Sequence, residues 1–256
     1  MTETKRRALV TGGSRGIGLA IARALARDGL DVIVSYGHDA AGAEAQVAQA
    51  RSEGLMLSAV RCDAARAEDW DALFARGGPL GLAEQGVQVL IHAAGFAKDG
   101  LLMTQAPTDF DAVQGVHLRG AYLASRACLR AMIGERFGRI VYISSPTATL
   151  GRRGQCSYGA AKAGLLGLAR SLMMEVSRFQ ITVNCVSAGL IDTALTAELP
   201  KEVYQSLLSS VPMARAGKAE EVAELVRYLV SPAGGYVTGQ LLAVDGGLDM
   251  LAADAF

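Results

Sequence analysis

Tyr158 and Lys162 stand four residues apart in the run SYGAAKAG. On a helix that spacing puts a phenol and an ammonium on one face. Held together they form a proton-transfer pair, because the Lys charge favours the phenolate and draws the Tyr pKa down towards the working pH. Upstream, Ser145 offers a hydroxyl that could bind a carbonyl oxygen. Farther upstream, TGGSRGIG (residues 11–18) is a glycine-rich turn suited to a nucleotide phosphate. Gly12, Gly16 and Gly18 fall in a G-x3-G-x-G spacing, unlike the usual dinucleotide G-x-G-x-x-G. The physics is shared: without Cβ atoms, backbone N–H groups approach a pyrophosphate, and the next helix points its positive end at it. Ser14, Arg15 and Ile17 complete the candidate contacts of this loop.

Seven short apolar runs must position these groups. They are Arg7 to Thr11, Asp31 to Tyr36, Leu57 to Cys62, Val87 to Ala94, Arg139 to Ser145, Ile181 to Ser187 and Gln240 to Gly247. All are rich in β-branched residues and apolar on both faces, as parallel strands covered by helices are. Helical patterns separate them, beginning with an Ala-rich helix through Arg27. This alternation predicts an α/β fold: one doubly wound Rossmann-type domain over residues 1–256, with a seven-stranded parallel sheet. The stretch from Leu190 to Gly217 carries Pro200 and Pro212 and is too long for a turn. Ligands bind beyond the carboxyl ends of strands in such sheets, so residues 190–217 are a candidate substrate lid. A surface helical hairpin is the plainer alternative.

At 256 residues and 51% hydrophobic, the chain can bury a sizeable core. Lys+Arg and Asp+Glu balance at 25 each, which argues against non-specific nucleic-acid binding. No signal-peptide pattern and no long apolar span stands out, so no membrane role is expected. Cys62, Cys128, Cys156 and Cys185 are isolated, with no metal-like spacing. They read as buried reduced thiols in a cytoplasmic protein, and no metal is expected.

NAD binders usually end the second strand with a carboxylate for the ribose 2′-OH. Here Ser35, Tyr36 and Gly37 carry none, and Asp39 comes late. Arg15 could face a 2′-phosphate, with His38 helping, so NADPH is the expected cofactor. Asp63, just past the third strand, could accept from the adenine amino group or cap a helix.

TGGSRGIG, the Ser145 to Tyr158 spacing, YGAAK, VNCVSAG and VTGQLLAVDGG together resemble the short-chain dehydrogenase/reductase family over essentially the whole chain. GRRGQCSYGAAKAGLLG and ITVNCVSAGLIDT resemble, more narrowly, 3-oxoacyl-acyl-carrier-protein reductases, and some wording is similar to those encoded with aryl-polyene pathways. The resemblance implies hydride transfer from the nicotinamide to a ketone, with Tyr158 as proton donor and Ser145 on the carbonyl oxygen. Lys162 would lower the Tyr pKa and hold the nicotinamide ribose. Ala94, Gly95, Gly189, Ile191 and Thr193 would line the cofactor site, with Ala188-Gly189 where the family usually has Pro-Gly.

Two positions depart from the family pattern. The usual N-A-G after the fourth strand reads Ala93-Ala94-Gly95, losing an amide that braces the sheet. The usual V-N-L-x-G reads VHLRG, so His117 replaces an Asn of the family's proton relay. His117 could occupy the hydrogen-bond chain as a neutral ring, titrate near neutrality, or mark a site leaving catalytic use. Survival of Ser145, Tyr158 and Lys162 favours the first.

The resemblance also implies an acidic acyl carrier protein as substrate carrier. Arg136 matches one docking arginine, while Phe179 stands at the other place with Arg178 beside it. Arg119, Arg152 and Arg153 add local positive charge. Family members pack the helix from Tyr158 to Arg178 against its twin, so a homotetramer is expected. The leading reading is an NADPH-dependent reductase of a 3-oxoacyl thioester. The alternatives are a dehydrogenase of another small alcohol and a catalytically weak nucleotide-binding partner subunit.

Overall fold

Alternate residues of each strand go to opposite sides of a sheet, and the core divides accordingly. In the computed structural model, which describes residues 5–249, Ala8, Val10, Val32, Val34 and Ile91 face one apolar cluster. Leu9, Ile33, Leu90, Ile140 and Tyr142 face the other. The strands are β1 (Arg7–Thr11), β2 (Asp31–Tyr36), β3 (Leu57–Arg61), β4 (Val89–His92), β5 (Gly138–Ser144), β6 (Ile181–Ala188), β7 (Ile191–Asp192), β8 (Gly217–Lys218) and β9 (Leu241–Val244). Seven form one parallel sheet in the order β3-β2-β1-β4-β5-β6-β9. Chain direction of travel reverses between β1 and β4, which is where such a sheet opens a crevice for ligands.

The helices are α1 (Gly16–Arg27), α2 (Ala40–Ser52), α3 (Ala67–Leu73), α4 (Leu82–Gln85), α5 (Pro107–Gln114), α6 (Gly120–Glu135), α7 (Thr147–Leu150), α8 (Cys156–Val176), α9 (Ala194–Ala197), α10 (Lys201–Ser209) and α11 (Ala219–Val230). Helices α1, α2 and α11 supply the first cluster, through Ile21, Leu25, Val47 and Val226. Helices α3, α6 and α8 supply the second, through Trp70, Leu73, Met132, Leu165 and Leu172. The expected single α/β domain with a seven-stranded parallel sheet is therefore present.

Several boundaries differ from the sequence expectation, each for a hydrogen-bonding reason. Past His92 the Ala93 amide is shared between the Thr11 carbonyl and hydroxyl, both at 3.2 Å, and the Ala94 amide turns to the Thr11 hydroxyl, which ends β4. β9 stops at Val244 because Gly246 and Gly247 take φ of +66° and +92°. The pairing of β7 with β8 was not anticipated; two residues a side carry no readable alternation. Between α5 and α6, Gly115–Arg119 forms a π turn, with the Gly120 amide bonded to the Gly115 carbonyl. Such turns interrupt the regular ladder and leave carbonyls for other partners. Cys62, Cys128 and Cys185 are buried as expected, whereas Cys156 is exposed at the start of α8. No described helix is long and apolar enough to cross a membrane.

Candidate active site

The glycine loop joins β1 to α1 at the crevice. Gly12 (φ +63°) and Gly16 (φ +54°) adopt the left-handed region. A Cβ on Gly12 would stand 2.7 Å from the Ala94 Cα, and one on Gly18 would stand 2.4 Å from the Gly12 carbonyl oxygen. Gly13, not singled out from the motif, is equally constrained, 2.6 Å from Val34 Cγ1. The lack of a Cβ lets Gly12 lie against Ala94 and Gly18 against Gly12, directly before the first turn of α1. That is the cradle a pyrophosphate needs.

Arg15 caps α1 in an extended conformation with an exposed side chain and makes no ion pair among the described residues. The end of β2 is free of acid, because Asp39 accepts from the Gly42 amide (2.8 Å) and caps α2. His38 is exposed in the same turn. Asp63 accepts from the Ala65 amide (3.0 Å) in a local turn, and Arg66 occupies the cap position of α3, so the cap alternative for Asp63 is corrected. On the far side of the loop, the Thr193 methyl lies 3.7 Å from where a Gly16 Cβ would be. Gly189 accepts no side chain, since its Cβ would fall 2.6 Å from the Asp245 Cα. Ile191 is buried in the first apolar cluster, with its side chain packed on Gly217.

Ser145 follows the last residue of β5, and α8 brings Tyr158 and Lys162 beneath it. Lys162 is buried, and its ammonium donates to the Ile143 carbonyl (2.7 Å). The Nζ lies 5.4 Å from the centre of the half-buried Tyr158 ring. The pair does not bring the phenol pKa down as the sequence led us to expect. Burial pushes Tyr158 up, a bond with Ser145 opposes that, and Asp99 adds to it. Burial also lowers Lys162 to about 8. One cause governs both: each charged form loses its water. Tyr158 is thus held in its protonated form.

Ser145 is oriented by a chain that the sequence reading missed. The Asp99 carboxylate accepts twice from the Gln155 amide (3.1 and 3.0 Å). That turns the Gln155 oxygen to the Thr147 hydroxyl (3.0 Å), and Thr147 in turn accepts from Ser145 (3.4 Å). Because a carboxylate only accepts, the direction of every donor in this chain is fixed from Asp99. Its signal lay three residues before Tyr158, in the same phrase that carries the resemblance.

His117 sits buried in the π turn. Its Nε2 meets the Phe96 carbonyl at 2.8 Å and the Phe96 amide at 3.2 Å. The ring stands edge-on to Tyr158, with centroids 5.2 Å apart, and its Nδ1 has no hydrogen-bond partner. Burial, reinforced by the Lys162 charge, lowers its pKa to about 2, which favours a neutral ring over one that titrates near neutrality. It makes no direct hydrogen bond to Lys162. The other missed residue is His92, at the end of β4: it is buried, and burial lowers it to about 3.

Arg136 and Arg178 lie at the other end of the molecule, past the carboxyl termini of α6 and α8. At 1.5 Å per residue, α8 separates Arg178 from Tyr158 by about 30 Å. Both guanidiniums face the Phe179 ring, and Arg136 donates to the Arg178 carbonyl (3.1 Å). Arg119 is spent on the Ala65 carbonyl, while Arg152 and Arg153 are exposed in the loop before Tyr158. A cavity of about 480 Å³ between Leu190, Met213 and Gly246 is lined by none of Ser145, Tyr158, Lys162 and His117.

Comparison with known proteins agrees with this geometry. A family model described as Enoyl-(Acyl carrier protein) reductase matches residues 12–249. The 3-oxoacyl-[acyl-carrier-protein] reductase of Synechocystis sp. is 38% identical over 255 residues, covering 96% of this chain and 98% of the relative. The 3-oxoacyl-[acyl-carrier-protein] reductase FabG of Escherichia coli is 39% identical, covering 95% and 97%. Nodulation protein G of Rhizobium sp. is 36% identical, covering 97% and 98%. With the glycine cradle, Ser145, Tyr158 and Lys162 assembled on one crevice, the chain belongs to the short-chain dehydrogenase/reductase family, as a ketoreductase enzyme resembling the 3-oxoacyl-acyl-carrier-protein reductases.

Proposed function

We propose that this protein reduces a 3-oxoacyl thioester, borne on acyl carrier protein, to the 3-hydroxyacyl product with NADPH, in a cytoplasmic setting. The observation that carries the reading is the placement of Ser145, Tyr158 and Lys162 around one crevice beside the glycine loop. The cradle of Gly12, Gly13, Gly16 and Gly18 fits a dinucleotide, and exposed Arg15 with no acid at the end of β2 fits a 2′-phosphate. When bound, that cofactor supplies a hydride to the carbonyl carbon. As the carbonyl electron pair moves to oxygen, Tyr158 gives that oxygen its phenolic proton. Ser145, freed from Thr147, donates to the same oxygen and favours the charge developing there. Lys162, protonated below about pH 8, stabilises the phenolate left on Tyr158.

His117 stays neutral and presents Nδ1 as an acceptor while Nε2–H donates to Phe96, the polarity a relay towards Lys162 requires. Residues 190–217, which hold α9 and α10, act as the lid. In this reading the Arg136–Arg178 surface, which does not ring the mouth of its own protomer's crevice, receives the acidic carrier for the crevice of a neighbouring protomer in a homotetramer.

The test is NADPH oxidation with a 3-oxoacyl carrier-protein thioester, alongside Tyr158→Phe. The wild type should turn over, and the variant should lose at least about a hundredfold in kcat while still binding NADPH. Tight NADPH binding with no turnover of this substrate by the wild type would overturn the substrate assignment.

A further inference from the structure

We propose that His92 and His117 act as one positioning unit, in which His92 fixes the π turn from behind and so holds the His117 ring beside Tyr158. His92 Nε2 lies 3.2 Å from the Val116 carbonyl, and Nδ1 lies 2.9 Å from the Thr11 hydroxyl oxygen. That hydroxyl oxygen also receives the Ala93 and Ala94 amides, at 3.2 and 3.1 Å. Proton counting leaves one arrangement. A carbonyl only accepts, so Nε2 carries the hydrogen. The neutral ring then has a bare Nδ1, which accepts the hydrogen of the Thr11 hydroxyl. Both ring nitrogens of His92 then have a partner, and the network has a single direction from the glycine loop, through His92, into the π turn.

Val116 precedes His117 within that turn. Its carbonyl is therefore the handle by which His92 sets the backbone that carries the second ring. Packing supports the same pairing. A Cβ on Gly120 would stand 3.1 Å from His92 Cε1, and one on Gly95 would stand 2.2 Å from His117 Cε1. Two glycines thus make slots for two imidazoles, which leave little room for either ring to shift alone. The amide absent at Ala93 is replaced as a brace by the residue before it.

The role concerns ketone reduction at this site and not which ketone is used, so the assay takes any ketone that the wild type reduces. kcat, KM and NADPH affinity are measured for His92→Ala, His92→Asn, His117→Ala and the double Ala variant. Nitrogen-15 NMR of labelled histidines in the free protein reads the ring tautomers without substrate. Misplacement near the chemistry costs up to about a hundredfold. We expect His92→Ala to lower kcat about thirtyfold, with KM and NADPH affinity changed less than about threefold. His92→Asn, which retains a donor and an acceptor, should recover to within about fivefold. The double variant should be no slower than about twofold below the worse single, and the His117 ring signals should move in His92→Ala. Multiplying losses, unchanged His117 signals, or NADPH affinity falling as far as kcat would each overturn the unit. Should His92→Ala fail to fold, the cycle of His92→Asn with His117→Ala decides by the same criterion.

Discussion

At the scale of single residues, burial sets protonation in the crevice. Lys162 loses affinity for its proton on folding, so between about pH 8 and 10.5 the unfolded chain binds more protons than the folded one. Stability from this group therefore rises with pH across that window, by about 3 kcal/mol. Denaturation of wild type and Lys162→Met at each pH checks this: their stability difference should shift by about that amount in favour of wild type. The histidines act at the other end. His92 and His117 bind protons at about 3 and about 2, against 6.5 for an ordinary imidazole. As pH falls below 6.5, the unfolded chain takes up protons that the fold refuses, and stability declines. Each ring contributes about 1.4 kcal/mol per pH unit between roughly pH 6 and 3. Chemical denaturation of His92→Asn or His117→Asn should show that much less acid sensitivity; an unchanged slope would mean the rings accept protons in place.

At the scale of elements, the β1–α1 loop and the start of α8 are the two rigid parts. In Gly12→Ala, a positive φ combines with a 2.7 Å approach to backbone that cannot move. We expect it to weaken NADPH binding at least about tenfold and to cost roughly 1–3 kcal/mol of stability, read by titration and melting. Gln155 joins the loop at Asp99 to Thr147 and Ser145. Gln155→Leu should lower kcat about tenfold with NADPH affinity unchanged, since it frees the Ser145 hydroxyl without touching the glycine loop. Sequence pattern located these elements well, because strand alternation and glycine spacing are local. It did not show the π turn, since the five residues of Gly115–Arg119 are too few for a change of helical period to be read.

At the scale of the whole molecule, charge is balanced in sum but not in place. Arg6 and Arg139 flank the Phe137 ring at 3.8 and 4.4 Å, and Arg136 and Arg178 face Phe179. None of the four makes an ion pair among the described residues, so the end opposite the crevice carries unpaired positive charge. With carrier-bound substrate, Arg136→Glu together with Arg178→Glu should raise KM about tenfold, with greater loss at low salt. With a pantetheine thioester, KM should stay as in the wild type. Equal losses on both substrates would remove the carrier from this surface. α6 and α8 also expose Tyr122 and Met174.

The sequence by itself determined the sheet, the glycine loop, and the presence of Ser145, Tyr158 and Lys162 on a common helix and strand end. Those features follow from periodicity, from the absence of Cβ atoms, and from a four-residue spacing. Tertiary structure decided the rest. Whether Tyr158 is raised or lowered depends on how much water burial removes, a quantity summed over residues far apart in the chain. Ile191 turned to the core because Gly217, 26 positions later, leaves space for it. His92 acquired its task from Thr11 and Val116, which are 81 and 24 residues away. No spacing rule connects such groups, because their contact exists only once β1, β4 and the π turn have met.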